Sequence, residues 1–295
     1  FCTLLRLRIP EMPFSTFPNG RQAVTLKSGD GATVVVYEQG AHIASWKSAD
    51  GKEIIYMSPA AVYKDGTALR GGVPVCFPQF SDMGPFSAHG VARNRKWTLV
   101  HEKDGSAVFS IQFRPGDEKL GDAVNVDLFL TVTFSNSELK ISLKCSNLSS
   151  SPFSFTTALH TYFSISSISS VSIHGLDTYN YADNLQKRQV MSPTEIRTID
   201  KEVDRVYFNV TGPVVIADPV NSRNIVVSGS GLSDVVLWNP WIEKTRKLAD
   251  MPPEGYKDFV CVEHGIIREP RVLSSGDSWE GTQTITVKPN SSKIQ

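Results

Sequence analysis

Apolar and polar residues alternate along much of this chain with a period of two. Val124, Val126, Leu128, Leu130, Val132 and Phe134 fall on one side of an extended segment, with Asn125, Asp127, Thr131 and Thr133 between them. Successive side chains of a strand point to opposite faces, so the pattern predicts a long, half-buried antiparallel strand. Leu139, Ile141, Leu143 and Cys145 repeat the pattern after the Ser135-Asn136-Ser137 turn, and Ala107, Phe109, Ile111 and Phe113 show it just before. Three such runs in succession predict a meander. Further β-rich runs occur at Ala23 to Lys27, Thr33 to Glu38, Val214 to Ala217, Ile225 to Ser228, Val235 to Trp238, Phe259 to Glu263 and Thr282 to Lys288. Helical periodicity is scarce. The segment that best suits a helix is Trp241 to Ala249, where Pro240 precedes the first turn and Lys and Arg are frequent.

Strands following strands exclude a doubly wound parallel sheet and leave a sandwich or a closed barrel of many antiparallel strands. We expect an all-β fold, a large antiparallel β-sandwich with few short helices. A chain of 295 residues would make about two average domains, yet no Pro/Ser linker or shift of composition divides it. The expectation is a single domain over 21–290 behind an N-terminal extension at 1–20. That extension opens at Phe1 without a methionine and mixes apolar residues with Arg6 and Arg8, as a trimmed leader would. A cytoplasmic chain is expected, or one from a plastid or other organelle if a leader has been processed.

Composition narrows the function classes. Lys+Arg and Asp+Glu both total 30, so the formal net charge is zero and lacks the excess expected of a nucleic-acid or polybasic membrane binder. No uncharged apolar run approaches the 18 or so residues of a spanning helix. The expected partner is a small molecule, with no nucleic acid, no membrane and a monomeric chain. Cys2, Cys76, Cys145 and Cys261 form no C-x-x-C pair and read as reduced, mostly buried thiols. Six scattered histidines without H-E-x-x-H or H-x-H spacing predict no metal. Gly229-Ser230-Gly231 lacks a third glycine and a following helix, and neither a Walker A sequence nor a G-x-S-x-G elbow occurs, so no nucleotide cofactor is expected.

Five stretches carry candidate chemistry. In Arg70-Gly71-Gly72-Val73-Pro74-Val75-Cys76-Phe77-Pro78-Gln79-Phe80, glycines permit close backbone approach to a ligand, prolines stiffen the turn, and Arg70 and Gln79 supply polar groups. The bland alternative is a buried turn with Arg70 exposed. His89-Gly90-Val91-Ala92-Arg93-Asn94-Arg95-Lys96 adds three cations suited to an anion, or simply a charged loop. His160, in an apolar β-prone run, reads on its own as a satisfied core histidine. Glu263 ends a strongly apolar strand, where a carboxylate is costly without a partner or a task. Asp204-Arg205 reads as a local surface ion pair.

These residues resemble the aldose 1-epimerase superfamily, specifically its glucose-6-phosphate 1-epimerase branch, the hexose-6-phosphate mutarotases. The blocks that carry the resemblance are RGGVPVCFPQF from Arg70, HGVARNRKW from His89, ALHTYFSIS from Ala158, EVDRVYF from Glu202, DVVLWNPW from Asp234 and FVCVEHG from Phe259. They run in order across nearly the whole chain. The resemblance implies a galactose mutarotase-like β-sandwich, with His160 as general acid and Glu263 as general base. It further implies that Arg70, Gln79, His89, Arg93 and Asp204 line a sugar-phosphate site. Ser87-Ala88 and His264 depart from the common pattern and bear on the pocket rim. The implied reaction exchanges the α and β anomers of glucose 6-phosphate and related hexose 6-phosphates by ring opening, without metal or cofactor. Its acid would titrate in the ordinary histidine range, between about pH 5 and 8. Alternatives are a neutral aldose 1-epimerase, a glycoside hydrolase using Glu263 and Asp204, and a non-catalytic carbohydrate-binding sandwich.

Overall fold

The computed structural model describes residues 14–117, 120 and 124–290. The expectations on Cys2 and on the leader-like segment from Phe1 to Met12 lie outside the described residues. Two eight-stranded antiparallel sheets face each other. The back sheet holds the expected meander, with Ser106–Phe113, Val126–Phe134 and Glu138–Asn147 side by side. Its register sets Leu130 between Phe109 and Leu143, all three buried. One face of each strand is thus apolar, as alternation requires, save for the buried Asn147 at the end of the third.

The second sheet, the site sheet, runs in the order Gln189–Met191, Tyr181–Asp183, Val203–Tyr207, Asp234–Asn239, Phe259–Leu273, Phe153–Leu159 and Val75–Cys76. Tyr162–Ser164 is its eighth strand and pairs with Phe259–Leu273 as well. Val235, Leu237, Val260 and Val262 of this sheet meet Leu139, Ile141, Leu143 and Ile285 of the back sheet in one apolar core. A four-stranded sheet, Ser15–Thr16, Gln22–Lys27, Thr33–Tyr37 and His42–Lys47, adds Leu26, Val34, Val36 and Trp46 to that core. The fold is the expected antiparallel β-sandwich.

The helix is shorter than its pattern predicts: five residues, Trp241–Thr245. Beyond Thr245 the backbone bonds tighten to three-residue spacing, from the Lys247 N–H to the Lys244 oxygen and from the Leu248 N–H to the Thr245 oxygen. This turn carries Met251 into a second apolar cluster beneath the site. Cys76, Cys145 and Cys261 are free and buried, as expected. Among the described residues no helix is long and apolar enough to cross a membrane.

Candidate active site

Alternation along Phe259–Leu273 decides what the site contains. Val260, Val262 and His264 point one way, and Cys261 and Glu263 the other. Register across the sheet aligns Asp204, Trp238, Cys261 and Tyr162 in one row, and Val206, Val236 and Glu263 in the next. Val206, Val236, Trp238, Cys261 and Tyr162 form an apolar floor with Ala158, Met251 and Phe259. Glu263 stands in that floor, 1% exposed.

His160 reaches the same face through a break in the ladder. Leu159 pairs with His264 and Tyr162 with Cys261, so the two intervening residues on each strand set His160 opposite Glu263 and Thr161 opposite Val262. The ladder bonds are replaced by a tight turn, Thr161 N–H to Leu159 oxygen, and by a bond from the His160 N–H to the Pro74 oxygen. His160 Nδ1 lies 3.2 Å from Glu263 Oε1. The two atoms are close enough to relay a proton through a bound hydroxyl, but out of line for a direct hydrogen bond. Nδ1 and the Oε2 of Glu263 are both buried without a protein hydrogen-bond partner. The imidazole stacks on Tyr162, centroids 4.9 Å apart and planes 7° apart, and meets Trp238 edge-on at 5.8 Å and His89 at 5.4 Å.

Electrostatics favour the neutral form of both groups. Burial, and then the charge of Asp204, hold the Glu263 carboxyl well above the usual range. Burial, His89, Arg93 and Arg70 hold the His160 imidazole well below its usual range. The expectation of an ordinary histidine titration is therefore corrected: a dry site ringed by cations resists imidazolium.

The glycine pair serves a different end from the one its sequence suggests. A Cβ on Gly72 would lie 2.1 Å from His42 Nε2 and 2.6 Å from the Ile43 oxygen, so its closeness is to the protein's own chain rather than to a ligand. Arg70 is thereby fixed at the rim, where its Nε donates to Asp250 Oδ1 at 3.2 Å and its Nη1 to the Tyr162 hydroxyl at 3.3 Å. His89 and Gly90 are both left-handed, and a Cβ on Gly90 would strike the Phe77 oxygen at 2.1 Å. The turn brings His89 against His160, while its Nδ1 accepts the Ser81 N–H at 3.2 Å and contacts Cys76 Sγ at 3.2 Å. Burial and then Arg93 and Arg70 push His89 down to about 3.

Of the three cations after His89, only Arg93 is left for the site. Arg95 makes a two-pronged bond to Asp117 and Lys96 pairs with Glu38. Arg93 Nη2 donates to the Ala88 oxygen at 2.8 Å and its buried Nε has no partner. Gln79 is buried with its amide turned to its own loop: Nε2 donates to the Ser81 and Phe86 oxygens and Oε1 accepts the Phe86 N–H. Asp204 and Arg205 do not pair with each other, because strand neighbours face opposite ways. Asp204 accepts from Asn184 at 2.6 Å and lies 3.5 Å from Lys244 Nζ, while Arg205 turns to Asp183 and the Tyr181 ring.

One buried connection has no counterpart among the sequence candidates. Gln283, on Ser278–Pro289 of the back sheet, accepts the Thr161 hydroxyl proton at 2.6 Å and donates to the Val262 oxygen at 3.2 Å. It also lies 3.2 Å from His264 Nδ1. Thr161 follows His160 and Val262 precedes Glu263, so a single amide ties the two chain segments that carry the pair. Thr161 stands inside the HTY block, but nothing in the sequence near Gln283 marks it.

The profile of the Aldose 1-epimerase family matches residues 22–286, a span that holds every residue of this site. The chain belongs to the aldose 1-epimerase family. Among its epimerase relatives, a protein of Escherichia coli provisionally named glucose-6-phosphate 1-epimerase is 36% identical over 84% of this chain and 85% of its own. One of Cenchrus ciliaris with the same provisional name is 32% identical over 93% of this chain and 87% of its own. The crystal structure of a Salmonella typhimurium protein, YeaD, provisionally named a mutarotase, superposes with a TM-score of 0.81 at 29% identity, over 91% of each chain.

Proposed function

We propose that this epimerase exchanges the α and β anomers of glucose 6-phosphate and related hexose 6-phosphates, with Glu263 and His160 as base and acid. The observation that carries the reading is the 3.2 Å approach of His160 Nδ1 to Glu263 Oε1 on a dry floor, each group keeping a buried atom without a protein partner. Anomer exchange needs one proton removed from the C1 hydroxyl and one delivered to the ring oxygen. With the shared proton on His160, the carboxylate takes the hydroxyl proton while the imidazolium protonates the ring oxygen. The C1–O5 bond breaks, C1 becomes a free aldehyde, and rotation about C1–C2 precedes reclosure with roles reversed. At the open-chain stage both protein groups are neutral, the form their surroundings favour. Each positioned proton-transfer group contributes about 10²–10⁴-fold.

The phosphate is assigned to Arg70 and Arg93. Both guanidinium groups act on the His160 charge from the rim, and planar guanidinium suits phosphate oxygens. The names of the relatives above support the same substrate class. Asp204 is assigned to a sugar hydroxyl and His89 to the pocket wall, whereas Gln79 supports the site through its loop. The test is anomer exchange followed by NMR on glucose 6-phosphate and glucose in parallel. Faster exchange of the phosphorylated sugar is the expected result, and equal efficiency on both would favour a neutral-sugar epimerase.

A further inference from the structure

The reaction derived above leaves Cys261 without a task. Its thiol leaves the strand on the same face as the Glu263 carboxylate, two residues on, and His160 stands opposite Glu263. One ligating atom from each of the three residues lies within 4.8 Å of the others, and the imidazole and carboxylate atoms are already at 3.2 Å. In a tetrahedral zinc site, ligands held about 2.0–2.3 Å from the ion stand roughly 3.3–3.8 Å apart; the imidazole and carboxylate atoms already approach that spacing, and side-chain torsions that move the thiol by about an ångström would close the three around one ion. Two lone-pair-bearing groups are already turned inward and unspent: His160 Nδ1, on a residue 8% exposed, and Glu263 Oε2, on a residue 1% exposed.

We propose that His160, Cys261 and Glu263 form a site for a thiophilic divalent cation of the zinc class, and that the bound cation shuts the sugar out. One nitrogen, one sulfur and one oxygen leave a fourth tetrahedral position for water, and the set selects zinc or cobalt over magnesium or calcium, which prefer oxygen cages. On binding, the cation displaces two protons to solvent, one from the Cys261 thiol and the one held by the His160–Glu263 pair, and no electron moves. The ion uses the same lone pairs that must reach the C1 hydroxyl and ring oxygen, so inhibition is competitive with sugar. This inhibitory half rests on the proposed function; the binding half does not.

The two halves are read separately. Cobalt(II) titrated into the metal-free full chain should give a thiolate-to-cobalt charge-transfer band saturating at one equivalent. Cys261→Ala should lose the band, Cys76→Ala should keep it, and Glu263→Gln, which preserves shape, should weaken binding. Zinc should raise the apparent KM for glucose 6-phosphate without lowering kcat, reversibly with a chelator. Removing a group that merely supports a metal ligand costs about 10–100-fold in affinity, so Cys261→Ala should weaken zinc inhibition at least about tenfold, each variant scaled to its own uninhibited rate. Absence of the band, its loss in Cys76→Ala instead, or equal zinc inhibition in wild type and Cys261→Ala would overturn the site. A cobalt band in a protein that does not exchange glucose 6-phosphate anomers would retain the metal site and remove the proposed function.

Discussion

Glu263 and His160 each sit in the protonation state that burial prefers, and both activity and stability register this. The active pair holds one proton in total. Acidification through the lowered imidazole value adds a second and leaves nothing to accept the hydroxyl proton; alkalinisation through the raised carboxyl value removes the last and leaves no acid. A bell-shaped kcat profile is expected, with its acid limb below the ordinary histidine value of about 6.5 and its alkaline limb above the ordinary carboxyl range. The profile is read in kcat because the second phosphate ionisation near pH 6 enters KM. An acid limb centred on 6.5 or above would contradict the assignment. Glu263→Gln should lose at least about 10²-fold in kcat and yet unfold at a higher temperature. Above its ordinary value near 4.5 the carboxyl of the unfolded chain releases a proton that the folded chain retains, so its effect on stability becomes less favourable as pH rises. The amide lacks this ionisation, and its advantage should therefore grow from pH 5 to 7.5, by at most about 1.4 kcal/mol per unit. Equal stability at both pH values would show that Glu263 ionises freely. Reading His160 from its run alone gives a core histidine. An apolar alternation specifies faces, and cannot specify that one face of this strand looks onto a sugar rather than into the sandwich.

Between the elements, Gln283 binds the back sheet to both segments of the pair. Gln283→Leu leaves the Thr161 hydroxyl and His264 with a buried donor or acceptor unmet, which costs roughly 1–3 kcal/mol of stability. If Gln283 also positions the pair, kcat per folded molecule should drop about tenfold while KM for glucose 6-phosphate holds. Thr161→Ser should then behave as wild type and Thr161→Val like the glutamine variant. A loss confined to the folded fraction would reduce Gln283 to a structural role. The meander was plain in the sequence because its strands are long and one-sided. Val75–Cys76 and Tyr162–Ser164 are two and three residues long, too short for any period to show, and their places are set by partners distant in the chain. Helix length was overread because Pro240 marks a start, whereas the early end follows from burying Met251. Gln283 was illegible for a similar reason: its neighbours Thr282 and Thr284 make it one polar residue among several, and only the opposing sheet gives it partners.

For the molecule as a whole, zero net charge means that recognition of a dianion depends on contacts rather than on a general field. Arg93→Ala and Arg70→Ala should raise KM for glucose 6-phosphate by about one to two powers of ten, the equivalent of roughly 1.5–3 kcal/mol per charge-assisted contact, and leave KM for glucose nearly unchanged. Equal losses on both sugars would mean that the arginines shape the pocket. Arg70→Ala should also destabilise, since Asp250 loses its guanidinium partner.

The strand that carries the glutamate is buried without interruption from Phe259 to Ile267, then exposed from Arg268 to Val272. In hydrogen–deuterium exchange the first stretch should lose its amide protons only when the entire protein unfolds, and the second through local opening, orders of magnitude sooner. Comparable exchange along the whole strand would refute this division. If it holds, the backbone beneath the carboxylate stays in place on the time scale of turnover. The sugar must bring its anomeric carbon to a stationary strand, and any adaptation to a new hexose has to come from the rim.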